Sequence, residues 1–206
     1  MDIFWVLFIV AAIVGWRLIQ KDNKTISAIL KRQSLQRAGS MKTVMASYPQ
    51  LSFRHKEADI LVSASHGDSG PFTYAQFYTT VFPDSCSFKI TSRSMPTLVM
   101  ETRLELRKVE LDQPEFDNKF VIRTKKEEFI RSLLTQNIQK QLLELDAGRG
   151  LEVRFLSDAS SDAKDSVERH RFDISIERLL TDYHDYERLI EAAILLYEQM
   201  KTLTTA

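Results

Sequence analysis

Residues 120–145 decide the fold class, because they change from strand periodicity to helix periodicity within a few positions. They read FVIRTKKEEFIRSLLTQNIQKQLLEL. Phe120–Arg123 fits the end of a series of strands with alternating apolar and polar residues. Thr124 and Glu127 have the spacing of a helix capping box. Beyond them, apolar residues recur at helical spacing, namely Ile130, Leu133, Leu134, Ile138, Leu142 and Leu145. The stretch predicts a strand followed directly by a helix that packs on the sheet.

The same reading extends in both directions along the chain. Alternation predicts strands at 60–65, 72–82, 87–91, 97–111 (one bent strand or two), 120–123, 151–155 and 172–176. The short Gly- and Pro-containing connections require neighbouring strands to be antiparallel. Residues 157–171 are polar and without apolar period, which predicts a long hairpin loop, and a last helix is predicted to begin near Thr181. This order predicts an α+β domain, with an antiparallel β-sheet covered on one face by two helices.

Part of this pattern resembles a known family. Phe116-Asp-Asn-Lys-Phe-Val-Ile-Arg-Thr124 precedes Leu133-Leu-Thr135 and Leu142-Leu143, and a strand pair follows. This arrangement resembles the DUF3137-type domain of bacterial membrane-anchored proteins, over roughly residues 70–200. The resemblance implies the α+β fold and a membrane anchor, and it brings no activity or catalytic residue with it.

The N-terminus is strongly apolar. Ile3–Trp16 reads IFWVLFIVAAIVGW without a charge, and Leu18 and Ile19 extend the run past Arg17. Seventeen helical residues would cover about 26 Å, close to the ~30 Å hydrocarbon core of a bilayer. We therefore predict a single transmembrane helix within residues 1–20. A cleaved signal peptide and a buried core helix are the alternatives.

The charges after the apolar run predict the orientation of this helix. Between residues 17 and 42 there is one acid, Asp22, against seven basic residues: Arg17, Lys21, Lys24, Lys31, Arg32, Arg37 and Lys42. The positive-inside rule then places the N-terminus outside the inner (plasma) membrane and the C-terminal domain, residues 51–206, in the cytoplasm. Residues 21–50 are predicted to be a basic juxtamembrane linker, within which 24–37 is either a helix along the anionic leaflet or a solvated connection. The predicted membrane-interface residues are Trp5, Trp16, Arg17, Lys21, Lys24, Lys31 and Arg32.

Small residues in the apolar run suggest a helix-packing face. Ala11 and Gly15 are four residues apart, with Ala12 beside them. Such spacing lets two helix backbones approach closely. We predict that Ala11, Ala12 and Gly15 pack against a helix of another membrane protein.

No catalytic, cofactor or metal motif emerges from the sequence. His66-Gly-Asp-Ser-Gly-Pro71 resembles the nucleophile loop of chymotrypsin-like proteases, but the chain before it is too short for that fold, so Ser69 is predicted to lie in a turn. The histidines lack paired-ligand spacing, and His184 near Asp182 and Asp185 is predicted to lie at a helix start. Cys86 is the single cysteine, which excludes an intramolecular disulfide. Lys+Arg and Asp+Glu both number 28, which argues against a general nucleic-acid binder.

These observations favour a non-enzymatic, single-pass membrane protein. Its cytoplasmic domain would bind a protein partner, as an accessory or assembly subunit of a larger membrane complex of the respiratory or photosynthetic kind. The alternative is a membrane-tethered domain that binds lipid headgroups or a small ligand. A hydrolase with an unrecognised active site is a weaker third hypothesis.

Overall fold

The computed structural model describes residues 3–43, 47–67, 70–79, 82, 86–94, 106–148, 150–156 and 170–205. For residues 3, 4, 6–19, 78, 79, 156, 170 and 205 it describes the backbone alone. The predicted turn at Ser69 and most of the predicted hairpin loop 157–171 lie outside the described residues.

The described chain contains five helices and nine strands. The helices are α1 (Ile3–Gln36), α2 (Pro114–Asp117), α3 (Glu127–Leu133), α4 (Gln136–Asp146) and α5 (Tyr183–Thr205). The strands are β1 (Ser40–Lys42), β2 (Gln50–His55), β3 (Ala58–Gly67), β4 (Gly70–Thr79), β5 (Phe88–Ser92), β6 (Arg107–Val109), β7 (Phe120–Thr124), β8 (Leu151–Leu156) and β9 (His170–Ile176).

The nine strands form one sheet in the order β1-β2-β3-β4-β9-β8-β5-β7-β6. Every neighbouring pair is antiparallel. The hairpin β8–β9 lies in the middle of the sheet, between β4 and β5, although β4 and β5 follow each other in the chain.

One face of the sheet is apolar and carries the helices. Alternate residues of the strands, such as Phe77, Phe88 and Phe120, are buried there. Ring contacts join this face to the helices: Phe77 stacks on Tyr197 of α5, and Phe88 lies 6.4 Å from Phe129 of α3. The predicted cover of two helices is therefore incomplete, because α2, α3, α5 and the C-terminal half of α1 all pack on this face.

The predicted transmembrane helix at residues 3–19 is corrected by the structure. In the described part of the chain, no helix combines the length and the apolar character that crossing a bilayer requires. The apolar run is the first half of a 34-residue helix, α1, which continues without a break through the charged residues Lys21, Asp22 and Lys24. The charge-free part, Ile3–Trp16, would cover only about 21 Å of a ~30 Å hydrocarbon core.

The second half of α1 belongs to the folded domain. Ile26 and Leu30 are fully buried in the core, and Gln33 is buried beside them. Residues 21–50, which we predicted to be a linker, thus include the end of α1, strand β1 and the first residue of β2. The apolar face of 24–37 is turned towards the sheet, where β2 contacts α1.

The long helix predicted from Thr124 onwards is two helices. α3 ends at Leu133, and Thr135 caps α4 by accepting a hydrogen bond from the Ile138 amide (3.4 Å). The predicted capping box does not form, since α3 begins after Lys126 without a side-chain cap. Thr124 instead ends β7, where its hydroxyl accepts from the Lys126 amide and donates to the Ser87 carbonyl.

Gly39 closes the connection between α1 and β1, and we expect any side chain there to be costly. A Cβ at this position would lie 2.9 Å from both the Leu51 Cδ1 and the Ser52 carbonyl oxygen. Gly39→Ala should lower the free energy of unfolding by about 1–2 kcal/mol, measured by urea denaturation. The control is Ala38→Gly, since Ala38 has φ 49° and glycine relieves a left-handed conformation. Equal stability of Gly39→Ala and the native protein would contradict this close approach.

Candidate functional site

The face of the sheet opposite the helices, which we call the polar face, is defined by residues that alternate with the core residues. One cross-strand row of this face runs through all nine strands, because the registers of the eight pairs connect. In order from β6 to β1, this row consists of Lys108, Arg123, Lys89, Arg154, Asp173, Gln76, Leu61, Ser52 and Ser40.

The first four residues of the row form a ladder of basic side chains. Lys108 lies directly opposite Arg123, which lies opposite Lys89, which lies opposite Arg154. Neighbouring strands are about 4.8 Å apart, so the ladder extends over roughly 14 Å. Like charges directly opposite each other destabilise a sheet. Acidic side chains beside the ladder offset part of this repulsion.

Three acidic residues lie among these cations, and one of them, Glu110, pairs with Lys108 (Nζ to Oε1, 2.9 Å). Glu152 forms an ion pair with Lys89 (Nζ to Oε2, 3.0 Å), and its other oxygen, Oε1, lies 3.7 Å from Arg154 Nη1. Asp173 accepts hydrogen bonds from Arg154 Nε (2.8 Å) and Arg171 Nε (2.9 Å) on the same oxygen, Oδ2. With Arg171 included, five basic residues face three acidic ones among the described side chains, so the charge surplus of this region is positive.

The burial of these charges strengthens their electrostatic field. The Asp173 side chain is only 5% exposed, and those of Lys89 and Glu152 are 18% and 16% exposed. Lys108, at the sheet edge, is half exposed. Charges partly removed from water interact more strongly than fully solvated ones, so an anion placed on the ladder would be attracted at short range.

The part of the polar face on β4 is uncharged and partly aromatic. On β4, the Phe72 and Tyr74 rings lie 5.7 Å apart, and both side chains are half-buried. Ser175 is the partner of Tyr74 on β9. The polar face therefore changes from cationic at β6 to uncharged at β4.

A second polar cluster joins the turn between β2 and β3 to α5. Lys56 Nζ and His55 Nε2 both contact Glu198 Oε1, at 2.6 and 3.0 Å, and Lys201 pairs with Glu57. The ammonium of Lys56 and then the His55 ring hold the pKa of Glu198 below its ordinary value. These contacts fasten the turn to the helix, which is a structural role.

A buried tyrosine, Tyr48, contacts the exposed His66 near the N-terminal strands of the sheet. The Tyr48 hydroxyl is 3.1 Å from His66 Nε2, and burial raises the pKa of Tyr48, with Asp22 adding to the effect. Tyr186 of α5 is fully buried, and burial raises its pKa as well. Both tyrosines stay protonated at neutral pH and serve as core residues.

Grooves and metal sites offer no stronger candidate among the described residues. A groove of about 520 Å³ lies at the β1–β3 side of the sheet and includes Arg54 and Asp59. A second, of about 470 Å³, lies between α2 and α4 and is lined largely by polar residues such as Gln113 and Gln139. No group of three or more His, Cys, Asp or Glu side chains within the described residues could hold a metal ion.

The residues predicted to lie at a membrane interface are all on α1. Trp5 is 61% exposed, and Lys21, Lys24 and Lys31 are exposed as well. The Arg32 guanidinium carbon lies 4.1 Å above the centre of the Tyr183 ring, so Arg32 helps to dock α1 on α5.

The remaining predicted residues of α1 are placed by their backbone alone. For Trp16, Arg17 and the predicted packing residues Ala11, Ala12 and Gly15, the structure describes the backbone alone.

The other residues considered for chemistry have structural positions. Cys86 is buried. Asp182 lies just before α5 and accepts a hydrogen bond from the His184 amide (2.8 Å) and one from the Asp185 amide (3.3 Å). This geometry is a helix N-cap, as the position of these residues near a helix start suggested.

The basic ladder was missed by the sequence reading. Lys89, Arg123 and Arg154 each occupy a polar position of a predicted strand, so their outward direction was readable. Which residues lie beside them could not be read from the sequence, because β5 lies between β8 and β7, and both of those strands come much later in the chain.

The fold and the polar face define an α+β domain with a helix-covered sheet and a charged sheet surface on the other side. The model of the family DUF3137, described as a protein of unknown function, matches residues 73–203. The chain belongs to this family, which confirms the resemblance seen in the sequence. Comparisons with curated proteins and with solved structures found no match.

Proposed function

We propose that this protein is a non-catalytic binding domain whose polar face takes an acidic segment of a partner protein. The observation that carries this proposal is the ladder of four basic residues directly opposite one another in adjacent strands. An acidic segment would meet a surface on which the described basic side chains outnumber the acidic ones, five to three. A stretch of about four extended residues is long enough to follow it.

The charge distribution favours a protein over a nucleic acid as the partner. Glu152 and Asp173 lie within the cationic region and would repel a continuous phosphate backbone. A protein segment can place its carboxylates on the ladder and neutral residues beside the two acids. The balanced total charge of the chain agrees with recognition of this local kind.

The scarcity of exposed apolar side chains also favours electrostatic recognition. Among the side chains that the structure describes, only Trp5 and Leu35 are large, apolar and exposed, and both belong to α1. Binding to the sheet domain should therefore depend strongly on salt.

The test uses a synthetic peptide of alternating glutamate and serine and the full chain, with affinity measured by fluorescence anisotropy. The native protein should bind this peptide, and binding should weaken as salt increases. The double variant Lys108→Ala/Arg123→Ala should bind about tenfold more weakly, because two ion pairs with the peptide are lost. The control, Lys140→Ala/Arg188→Ala, removes the same charge from exposed positions of α4 and α5 and should bind like the native protein.

Three outcomes would contradict the proposal. They are no binding of the glutamate peptide, equal weakening by both double variants, and preferential binding of single-stranded oligothymidylate or of phosphatidylserine vesicles over the peptide. The last result would assign the ladder to a different class of partner.

A further inference from the structure

A polar groove of about 470 Å³ lies between α2 and α4. Amide side chains line both of its walls, since Gln113 precedes α2, whereas Gln136 and Gln139 belong to α4. The apolar part of the lining consists of Phe116, which is buried, and Leu143, which is half-buried. The groove thus offers neutral donors and acceptors together with a small apolar surface.

One of these amides is held in a fixed orientation. Gln139 Nε2 donates to the Leu134 carbonyl at 2.7 Å, and Leu134 is the C-cap of α3. With its nitrogen anchored at the break between α3 and α4, Gln139 has Oε1 as an acceptor for a ligand. Gln113 and Gln136 are exposed, and in the part of the chain that the structure describes their side chains form no hydrogen bond. Their donors and acceptors are therefore available as well.

From this lining we propose that the groove binds an extended segment of a polypeptide through its main-chain peptide groups. A glutamine side chain ends in the same donor and acceptor as a peptide group, so it pairs with the N–H and C=O of a main chain. From Gln136 to Glu144, α4 rises by about 12 Å, which is the length of about four extended residues. Recognition of the main chain needs no acidic sequence, so this site is independent of the polar face.

The charges and the shape of the lining argue against other ligand classes. Glu115 and Glu144 outnumber Lys140 in the described lining, and Lys140 Nζ lies 4.0 Å from Glu144 Oε1, which does not suit an anion. Small-molecule sites are mostly apolar and aromatic. Among the described residues that line the groove, Phe116 is the only aromatic one, and it is 1% exposed. A sugar or a planar cofactor would therefore find no ring face to stack on.

The experiment is an NMR titration of the full chain, labelled with ¹⁵N, with the neutral blocked peptide acetyl-Ser-Ala-Ser-Ala-amide. The side-chain amide signals of Gln113, Gln136 and Gln139 should shift saturably as the peptide is raised to about 10 mM. Because the peptide carries no charge, raising NaCl from about 50 to about 500 mM should change the Kd by less than about twofold. Binding on the polar face would instead depend strongly on salt.

Two matched double variants locate the binding. Gln113→Ala/Gln136→Ala should bind the peptide about tenfold more weakly, since each lost hydrogen bond contributes roughly a factor of three to ten. Both residues are exposed, so the fold should not change. The control Asn137→Ala/Gln141→Ala removes two amides from α4 at positions that do not line the groove, and it should bind like the native protein.

Saturable shifts that weaken in the groove variant and persist in the control would support the inference. It would be overturned by the absence of saturable shifts up to about 10 mM peptide, or by the same Kd for the groove variant and the native protein. Larger shifts of the three glutamine signals with maltotriose than with the peptide would also overturn it, because they would assign the groove to a carbohydrate. None of these results bears on the acidic partner of the polar face.

Discussion

Tyr197→Ala should lower the free energy of unfolding by about 3–5 kcal/mol, because it empties the centre of the contact between α5 and the sheet. The Tyr197 ring stacks on Phe77 at 5.3 Å, with the two planes within 3° of parallel. The Tyr197 ring also makes edge contacts with the rings of Phe82 and His55, at 5.6 and 6.3 Å between ring centres. The residue is 1% exposed, so little of the cavity could be filled by water.

Urea denaturation followed by circular dichroism would measure this loss. Glu191→Ala is the control, because Glu191 is exposed on the same helix and its replacement should change the unfolding free energy by less than about 0.5 kcal/mol. A loss below about 1 kcal/mol for Tyr197→Ala would mean that α5 does not pack on the sheet through this ring.

Thr73→Val should lower the free energy of unfolding by about 2–3 kcal/mol, although the two side chains have almost the same shape. The Thr73 hydroxyl is fully buried on β4, where it accepts from the Leu180 amide (2.9 Å) and donates to the Arg178 carbonyl (2.8 Å). These bonds fasten the connection between β9 and α5 to the sheet. Valine would leave the buried amide and the carbonyl without this partner, which costs about 1–3 kcal/mol per group.

Thr73→Ser measures the contribution of the hydroxyl apart from that of the methyl group. It keeps both hydrogen bonds and removes one methyl, so its cost should be about 1 kcal/mol or less. Equal losses for the serine and valine variants would show that packing of the methyl, and not the hydrogen bonds, holds the connection. Guanidinium denaturation of the two variants side by side gives the comparison.

Local features of the sheet domain could be read from the sequence where they depend on nearby residues. The alternation in Leu151–Phe155 and Phe172–Ile176 identifies strands, and the same alternation tells which side chains leave the core. The helix α5 is visible through its apolar spacing, including the buried Tyr186 and Tyr197. Such features follow from local periodicity alone.

Features that depend on distant residues could not be read in this way. The place of Lys89 between Arg123 and Arg154 depends on strand order, which no local pattern encodes. The break before α4 was hidden, because Leu133 and Leu134 fit a continuous helix and only Thr135 indicated a new cap. The strands β1 and β2 were missed because they are short, three and six residues, although Leu51 and Phe53 of β2 do alternate with polar residues.

The apolar N-terminal run was misread for a different reason. Its first fourteen residues have the composition of a membrane segment, so composition dominated the interpretation. The continuation of α1 through Lys21 and Lys24 to Gln36 depends on Ile26 and Leu30, which are stabilised by burial against the sheet. Tertiary packing of this kind is not visible when a segment is scored by itself.

The central position of the β8–β9 hairpin has a consequence for synthesis of the chain on the ribosome. Until residues 151–176 have emerged, β4 and β5 have no partner on their inner edges, and the sheet exists only as two separate parts. Unpaired strand edges favour association between nascent chains. Completing the sheet pairs β4 with β9, about 100 positions downstream, and contacts between residues so far apart in the chain slow folding. The period of greatest aggregation risk therefore falls late in translation, and it ends when the last third of the chain supplies the two strands that join the halves.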